Sequence, residues 1–286
     1  MYLFVFLGIL VYLWWLGADP WGHLFENWKI FLVLFVLNGI GIVVQASSFK
    51  SIYPGDLLLL STRKLVRIWS FSGMISVIAP VLAGLATRTT LLIQSGMSLS
   101  MCVSTSARQL WLGLEYAFLL GGISGFFIDV YWIRPLATGF VVSWMVMVLL
   151  RITRVEIQLL SESKLQRWLR MLKLPISNQA HLWFSLQMLV MSAIYYVAYN
   201  GYGASIGWDE ALLLSSITVL ASLIVITPNG LGLMDVLWVV IAKELGLSLD
   251  ESVSLAISIR LAYLLSATFV WISLSFRWKL LHRNDE

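Results

Sequence analysis

Charge is scarce in this chain. Of 286 residues only 12% are charged and 59% are apolar, against about 25% and about 45–50% in an average soluble domain. That balance excludes a water-soluble globular fold. Sulfur and imidazole are scarcer still. Cys102 is the single cysteine, so no internal disulfide forms, and His23, His181 and His282 are scattered without metal-site spacing. No metal and no cofactor is expected. Enzyme signatures are missing as well: there is no G-x-S-x-G, no H-E-x-x-H and no glycine-rich phosphate loop followed by lysine. The paired acids Asp209-Glu210 and Asp250-Glu251 read as solvated loop residues rather than metal ligands. The formal net charge of +4 lies in short connections beside apolar runs, the pattern of the positive-inside rule, which sets nucleic acid aside as a partner.

What the chain has is apolar length. A hydrocarbon core of about 30 Å takes about 20 apolar residues per helical crossing. Six runs fit a full crossing: 2–16, 30–47, 109–127, 135–150, 182–199 and 253–276. The first begins at Met1 with no basic leader and no small-residue cleavage site, so it reads as a retained helix rather than a signal peptide. Two further stretches, 66–92 and 211–242, are each broken by a proline with glycines just after it.

Orientation decides how those two are drawn. Lys50, Arg63, Lys64 and Arg67, then Arg151 to Lys173, then Arg277, Lys279 and Arg283 place two connections and the C-terminus in the cytoplasm. The connections with Asp19 and Glu26, with Asp209, and with Asp250 fall outside. For this count to close, 66–92 cannot cross once. It could cross twice, but because 89–107 is rich in Ser, Thr, Gln and Gly, a re-entrant hairpin dipping in from the cytoplasm is more economical. The same count makes 211–242 a second hairpin, entering from the opposite face. Both hairpins share I-x-P-x-x-x-G-L, from Ile78 to Leu85 and from Ile226 to Leu233. The expected architecture is therefore an all-α membrane helix bundle in one domain. It has about six full spans and two re-entrant hairpins, arranged as an inverted repeat of 30–127 and 182–276, a plan common in secondary transporters. Between them 151–180 is a basic cytoplasmic connector, in which Leu165, Trp168, Leu169 and Leu172 have the spacing of an interfacial helix.

Pro80 and Pro228 remove a backbone donor, and in lipid such breaks survive only where the backbone is packed in protein or lines a wet cavity. Gly84 permits close approach, and the amides of Asn229, Gly230 and Gly232 could cradle an anion at the start of the next half-helix. Four charges fall inside the apolar zone: Arg88, Glu115, Asp235 and Arg260. Each costs at least about 2.5–3.5 kcal/mol unless paired or hydrated. Arg88 and Arg260 are therefore candidates to meet near the midplane and bind phosphate oxygens; the alternative is a structural pair with Glu115 or Asp235. Trp14, Trp15, Trp21 and Trp28 fit an aromatic belt at the membrane surface.

With Pro80, Gly84 and Arg88 in the first half and T-P-N-G-L-G-L-M-D, Gly246 and Arg260 in the second, the chain resembles the lysylphosphatidylglycerol synthase transmembrane family of flippase-like proteins over roughly residues 50–276. The family pattern has an acidic residue where Leu85 stands here and a glutamate where Asp235 stands. The resemblance implies movement of an anionic phospholipid or a polyprenyl phosphate-linked intermediate between leaflets of the plasma (inner) membrane, in envelope lipid or glycolipid synthesis. It also implies that the synthase domain fused in some relatives is missing. Two other functions stay open: a non-catalytic partner of a separate synthase or glycosyltransferase, docking through the basic connector, and a membrane-embedded transferase using polyprenyl phosphate with Asp235 as its acid.

Overall fold

The computed structural model describes residues 20–52, 60–78, 81–128, 133–152, 177–221 and 233–282. The expected first crossing at 2–16, Pro80, the Pro228 to Gly232 segment and the amphipathic part of the basic connector lie outside the described residues. Ten helices are described and no strand among them: α1 Pro20–Glu26, α2 Trp28–Ile52, α3 Thr62–Ile78, α4 Val81–Gln94, α5 Leu99–Phe127, α6 Ile133–Ile152, α7 Asn178–Gly201, α8 Trp208–Ala221, α9 Leu233–Glu244 and α10 Leu249–His282.

Five of them, α2, α5, α6, α7 and α10, are long and apolar enough to cross a membrane. The chain is a multi-pass membrane protein. Along α2 the exposed Leu32, Val36, Ile40 and Val43 recur at helical spacing on one face. Such a stripe is a liability in water and ordinary against lipid. Helices α3, α4, α8 and α9 have 17, 14, 14 and 12 residues. At 1.5 Å per residue each is about 18–26 Å long, short of the hydrocarbon thickness of about 30 Å.

Across the Ser-, Thr-, Gln- and Gly-rich 89–107 the structure has helix on both sides of a tight turn. Met97 N–H donates to the Leu92 carbonyl at 3.1 Å and Gly96 N–H to that of Ile93 at 2.9 Å, with Gly96 at φ +98°. Ser98 then caps α5 by accepting from Met101 N–H. Two hydroxyls of this stretch are spent on helix backbone, Ser95 donating to the Leu91 carbonyl and Ser104 to that of Met101. The same turn recurs between α9 and α10. Leu247 N–H donates to the Ala242 carbonyl at 3.0 Å, and Gly246 sits at φ +90°. Ser248 and Glu251 cap α10 reciprocally, with Ser248 N–H donating to Glu251 Oε2 at 2.8 Å and Glu251 N–H to Ser248 Oγ at 3.3 Å. Asp250 and Glu251, read from sequence as loop acids, therefore belong to a helix start, as do Asp209 and Glu210 in the first turn of α8.

Small residues let the helices approach. Gly121, Gly122 and Gly125 of α5 face Ser216 of α8 and Val141 and Ala137 of α6. Buried Ser192 and Ser215 share a 3.0 Å hydrogen bond between α7 and α8. Ser266 of α10 donates to the Phe35 carbonyl of α2 at 2.8 Å. Helix α2 packs chiefly on α7, α5 on α8 and α6, and α10 on α2 and α3.

Helix α4 folds back along α3. A Cβ added to Gly84 would lie 2.5 Å from Ser76 Cβ and 2.9 Å from the Ser72 carbonyl oxygen, so only glycine fits the crossing. Gly84→Val is expected to cost about 1–3 kcal/mol through overpacking, read as a lower melting temperature in detergent. An unchanged melt would mean that the two helices separate freely.

Candidate functional site

A cavity of about 780 Å³ lies among α2, α3, α4, α5, α7, α8, α9 and α10, and both Arg88 and Arg260 line it. Its described lining carries no Asp or Glu.

The α3–α4 fold-back sets the first guanidinium. Arg88 Nε donates to Ser72 Oγ at 3.3 Å, and the guanidinium carbon lies 4.4 Å from the centroid of the Trp69 ring. Trp69 is held in place by Phe49 of α2, with ring centroids 4.6 Å apart. Tyr263 of α10 reaches across to the same place. Its hydroxyl lies against Gly73 of α3, where any Cβ would collide with it. Among the described residues Arg88 meets no carboxylate, and its terminal nitrogens meet no acceptor.

The second guanidinium is set differently. Arg260 of α10 grips Asp235 of α9 with two hydrogen bonds, Nε to Oδ1 and Nη2 to Oδ2, the latter 2.9 Å. Side-chain exposure is 11% for Arg260 and 26% for Asp235, so the pair is largely withdrawn from solvent. Arg260 also sits over Trp238, its guanidinium carbon 5.5 Å from the ring centroid. Of the two outcomes open from sequence, ligand group or structural pair, the structure gives Arg260 its pair and leaves Arg88 without one among the described residues. Glu115 pairs with neither arginine. It is buried on α5, accepts from Trp111 Nε1 at 2.7 Å and does not line the cavity.

Several lining residues have no place in the sequence reading. Gln45, Gln109 and Gln187 line the cavity from α2, α5 and α7 and are joined into one amide cluster through Ser48, which lies behind the lining. Gln109 Nε2 donates to Ser48 Oγ at 3.1 Å and to the Gln45 carbonyl at 3.4 Å; Ser48 Oγ in turn reaches Gln187 Oε1 at 3.5 Å. Asn38, buried on α2, donates to its own Leu34 carbonyl at 2.8 Å and also lines the cavity. The signal for this cluster was present: an amide side chain in an apolar span is costly unless partnered, and four such residues fall in spans that must pack together. Trp69 and Trp238 carried a signal too. Reflected about the proline break at Pro80, Arg88 falls opposite Ser72, eight residues to either side, next to the turn holding Trp69.

Of the sequence-predicted site residues, Gly84 is at the crossing beneath Arg88, Arg88 and Arg260 share the cavity, and Asp235 stands behind Arg260. Pro80, Pro228, Asn229, Gly230 and Gly232 lie outside the described residues. Comparison with protein-family models, with curated proteins and with solved structures found no match.

Proposed function

We propose that the chain is a lipid flippase-like transporter that moves an anionic lipid or polyprenyl phosphate-linked species between leaflets, with the phosphate received at Arg88. The observation that carries this is Arg88 itself, a guanidinium within a membrane bundle that faces a cavity with an aromatic and a hydroxyl for support and no carboxylate among the described residues. Such a group is costly in lipid and is retained where it receives an anion. The volume falls in the range of about 300–1,000 Å³ typical of ligand pockets, enough for a headgroup. The amide cluster offers the headgroup hydrogen bonds along the same wall. The transferase reading finds less support, because Arg260 occupies both oxygens of Asp235.

The inverted repeat and the family resemblance belong to the same proposal. Supporting the repeat are the matched turns at Gly96 and Gly246, the matched serine caps at Ser98 and Ser248, and the reciprocal packing of α5 on α8 and α10 on α3. That reciprocity is what a twofold relation between halves produces. In this reading α3–α4 and α8–α9 are re-entrant, and the C-terminus is cytoplasmic. Accessibility tags at the C-terminus and within 161–164 are expected to report cytoplasm, and one near Asp209 the opposite side. Finding 161–164 and Asp209 on one side would sink the inverted arrangement.

The function is tested by reconstituting the protein in vesicles and measuring scrambling of fluorescent anionic and zwitterionic lipids. Faster flux than in protein-free vesicles, strongest for anionic lipids, is expected. Flux for none of them would overturn the proposal and favour a membrane partner of a separate synthase or glycosyltransferase.

A further inference from the structure

We infer that the cavity counts charge: it selects a membrane lipid whose headgroup carries a single negative charge, a monoanionic phosphodiester, and Asp235 is the residue that sets this selectivity. The inference rests on the proposed function and names the substrate class of the same site.

Two guanidiniums line the cavity, yet only one is electrically available. Arg88 has Ser72 on Nε and the Trp69 face beside it, with no compensating acid among the described residues. Arg260 is held edge-on by both oxygens of Asp235 and is 11% exposed. The described lining therefore presents one uncompensated positive charge.

In a low-dielectric bundle a ligand charge with no counter-charge is strongly disfavoured. One anionic charge is balanced at Arg88. A second, as on a phosphomonoester or a diphosphate, would have to draw Arg260 away from Asp235 or sit near that carboxylate unbalanced. Asp235 thus supplies the repulsive element through which a site rejects the wrong ligand. A neutral side chain there frees Arg260 for the second charge.

The asymmetry also fits the packing. Trp69 is braced by Phe49 at 4.6 Å and Trp238 by Tyr195 at 6.2 Å between centroids. Both cations thus have an aromatic floor, and the difference between them is the carboxylate.

The test compares scrambling of fluorescent phosphatidylglycerol, a monoanion, with that of fluorescent phosphatidic acid at about pH 8, above the phosphomonoester second pKa of about 6. Wild type is expected to favour phosphatidylglycerol. Asp235→Asn is expected to shift the ratio of the two rates toward phosphatidic acid by at least about tenfold, because at an effective protein dielectric of about 20 one added charge interaction exceeds a tenfold effect at any separation under about 12 Å. The double variant Asp235→Asn, Arg260→Gln removes both members of the pair, keeps Arg88 as the one available charge, and is expected to keep the wild-type preference. Binding of the same two lipids, read by native mass spectrometry of the detergent-solubilised protein, should follow the same order for all three proteins.

Should wild type scramble lipids with no change of ratio in Asp235→Asn, the charge rule is overturned and transport stands. If Asp235→Asn fails to fold, the double variant carries the test, and a loss of the phosphatidylglycerol preference in it overturns the rule. Absence of both scrambling and lipid binding in wild type overturns the transport reading itself. Uptake of soluble glycerophosphoglycerol into the vesicles without lipid flux would assign the site to a free phosphodiester and overturn the lipid assignment.

Discussion

Arg88→Ala is expected to reduce lipid scrambling to the protein-free level while leaving the melting temperature unchanged or higher. A guanidinium inside a membrane bundle costs about 2.5–3.5 kcal/mol on the lenient insertion scale. What Arg88 receives in return is a 3.3 Å bond from Nε to Ser72 and the Trp69 face at 4.4 Å, and a cation–π contact adds about 0.5–2 kcal/mol. The two roughly cancel. Removing the side chain therefore leaves no charge stranded, and the loss falls on function. Arg88→Lys keeps the charge but loses the planar fork that grips two phosphate oxygens and stacks on indole, so intermediate flux is expected. Activity and melting temperature falling together across both variants would make Arg88 scaffold and sink the headgroup role.

The second large effect has the opposite signature. Arg260→Ala removes the two hydrogen bonds that Asp235 accepts from Arg260, and with them the guanidinium charge beside a carboxylate that is only 26% exposed. Breaking one side of a buried pair costs about 3–5 kcal/mol, so this variant is expected to melt well below wild type. Adding Asp235→Asn to it removes the stranded charge and should restore most of the loss. If the double variant is no more stable than Arg260→Ala alone, the pair does not hold α9 to α10 and the arginine contributes through Trp238 packing instead.

The sequence made the spans visible and hid their joints. Apolar length locates four of the five described crossings to within about five residues at each end, because lipid requires that length wherever a helix faces it. Helix α5 was the exception. Its first turns carry Ser100, Ser104, Thr105 and Ser106, a composition that hides a helix, although a helical hydroxyl can bond its own backbone as Ser104 does at the Met101 carbonyl. Charge was half legible. The cost of burial marked Arg88, Glu115, Asp235 and Arg260 as residues needing partners, yet could not say which pairs form. Asp235 and Arg260 are 25 residues apart, and their meeting depends on the turn at Gly246. The indoles were least legible, since Trp69 and Trp238 differ from anchoring tryptophans only in facing inward.

The packing of α10 against α3 bears on the order in which the protein is made. Trp69, Ser70 and Ser72 are buried, and part of what covers α3 is Tyr263, Ala267 and Trp271 of the last helix. During synthesis α3 and α4 enter the membrane long before that helix leaves the ribosome. For that interval the wall beneath Arg88 is unfinished, and its indole and hydroxyls must be sheltered by lipid, water or the insertion machinery. The cavity therefore comes into being only when Leu249–His282 docks, and a chain released before that helix would hold the arginine but never the site.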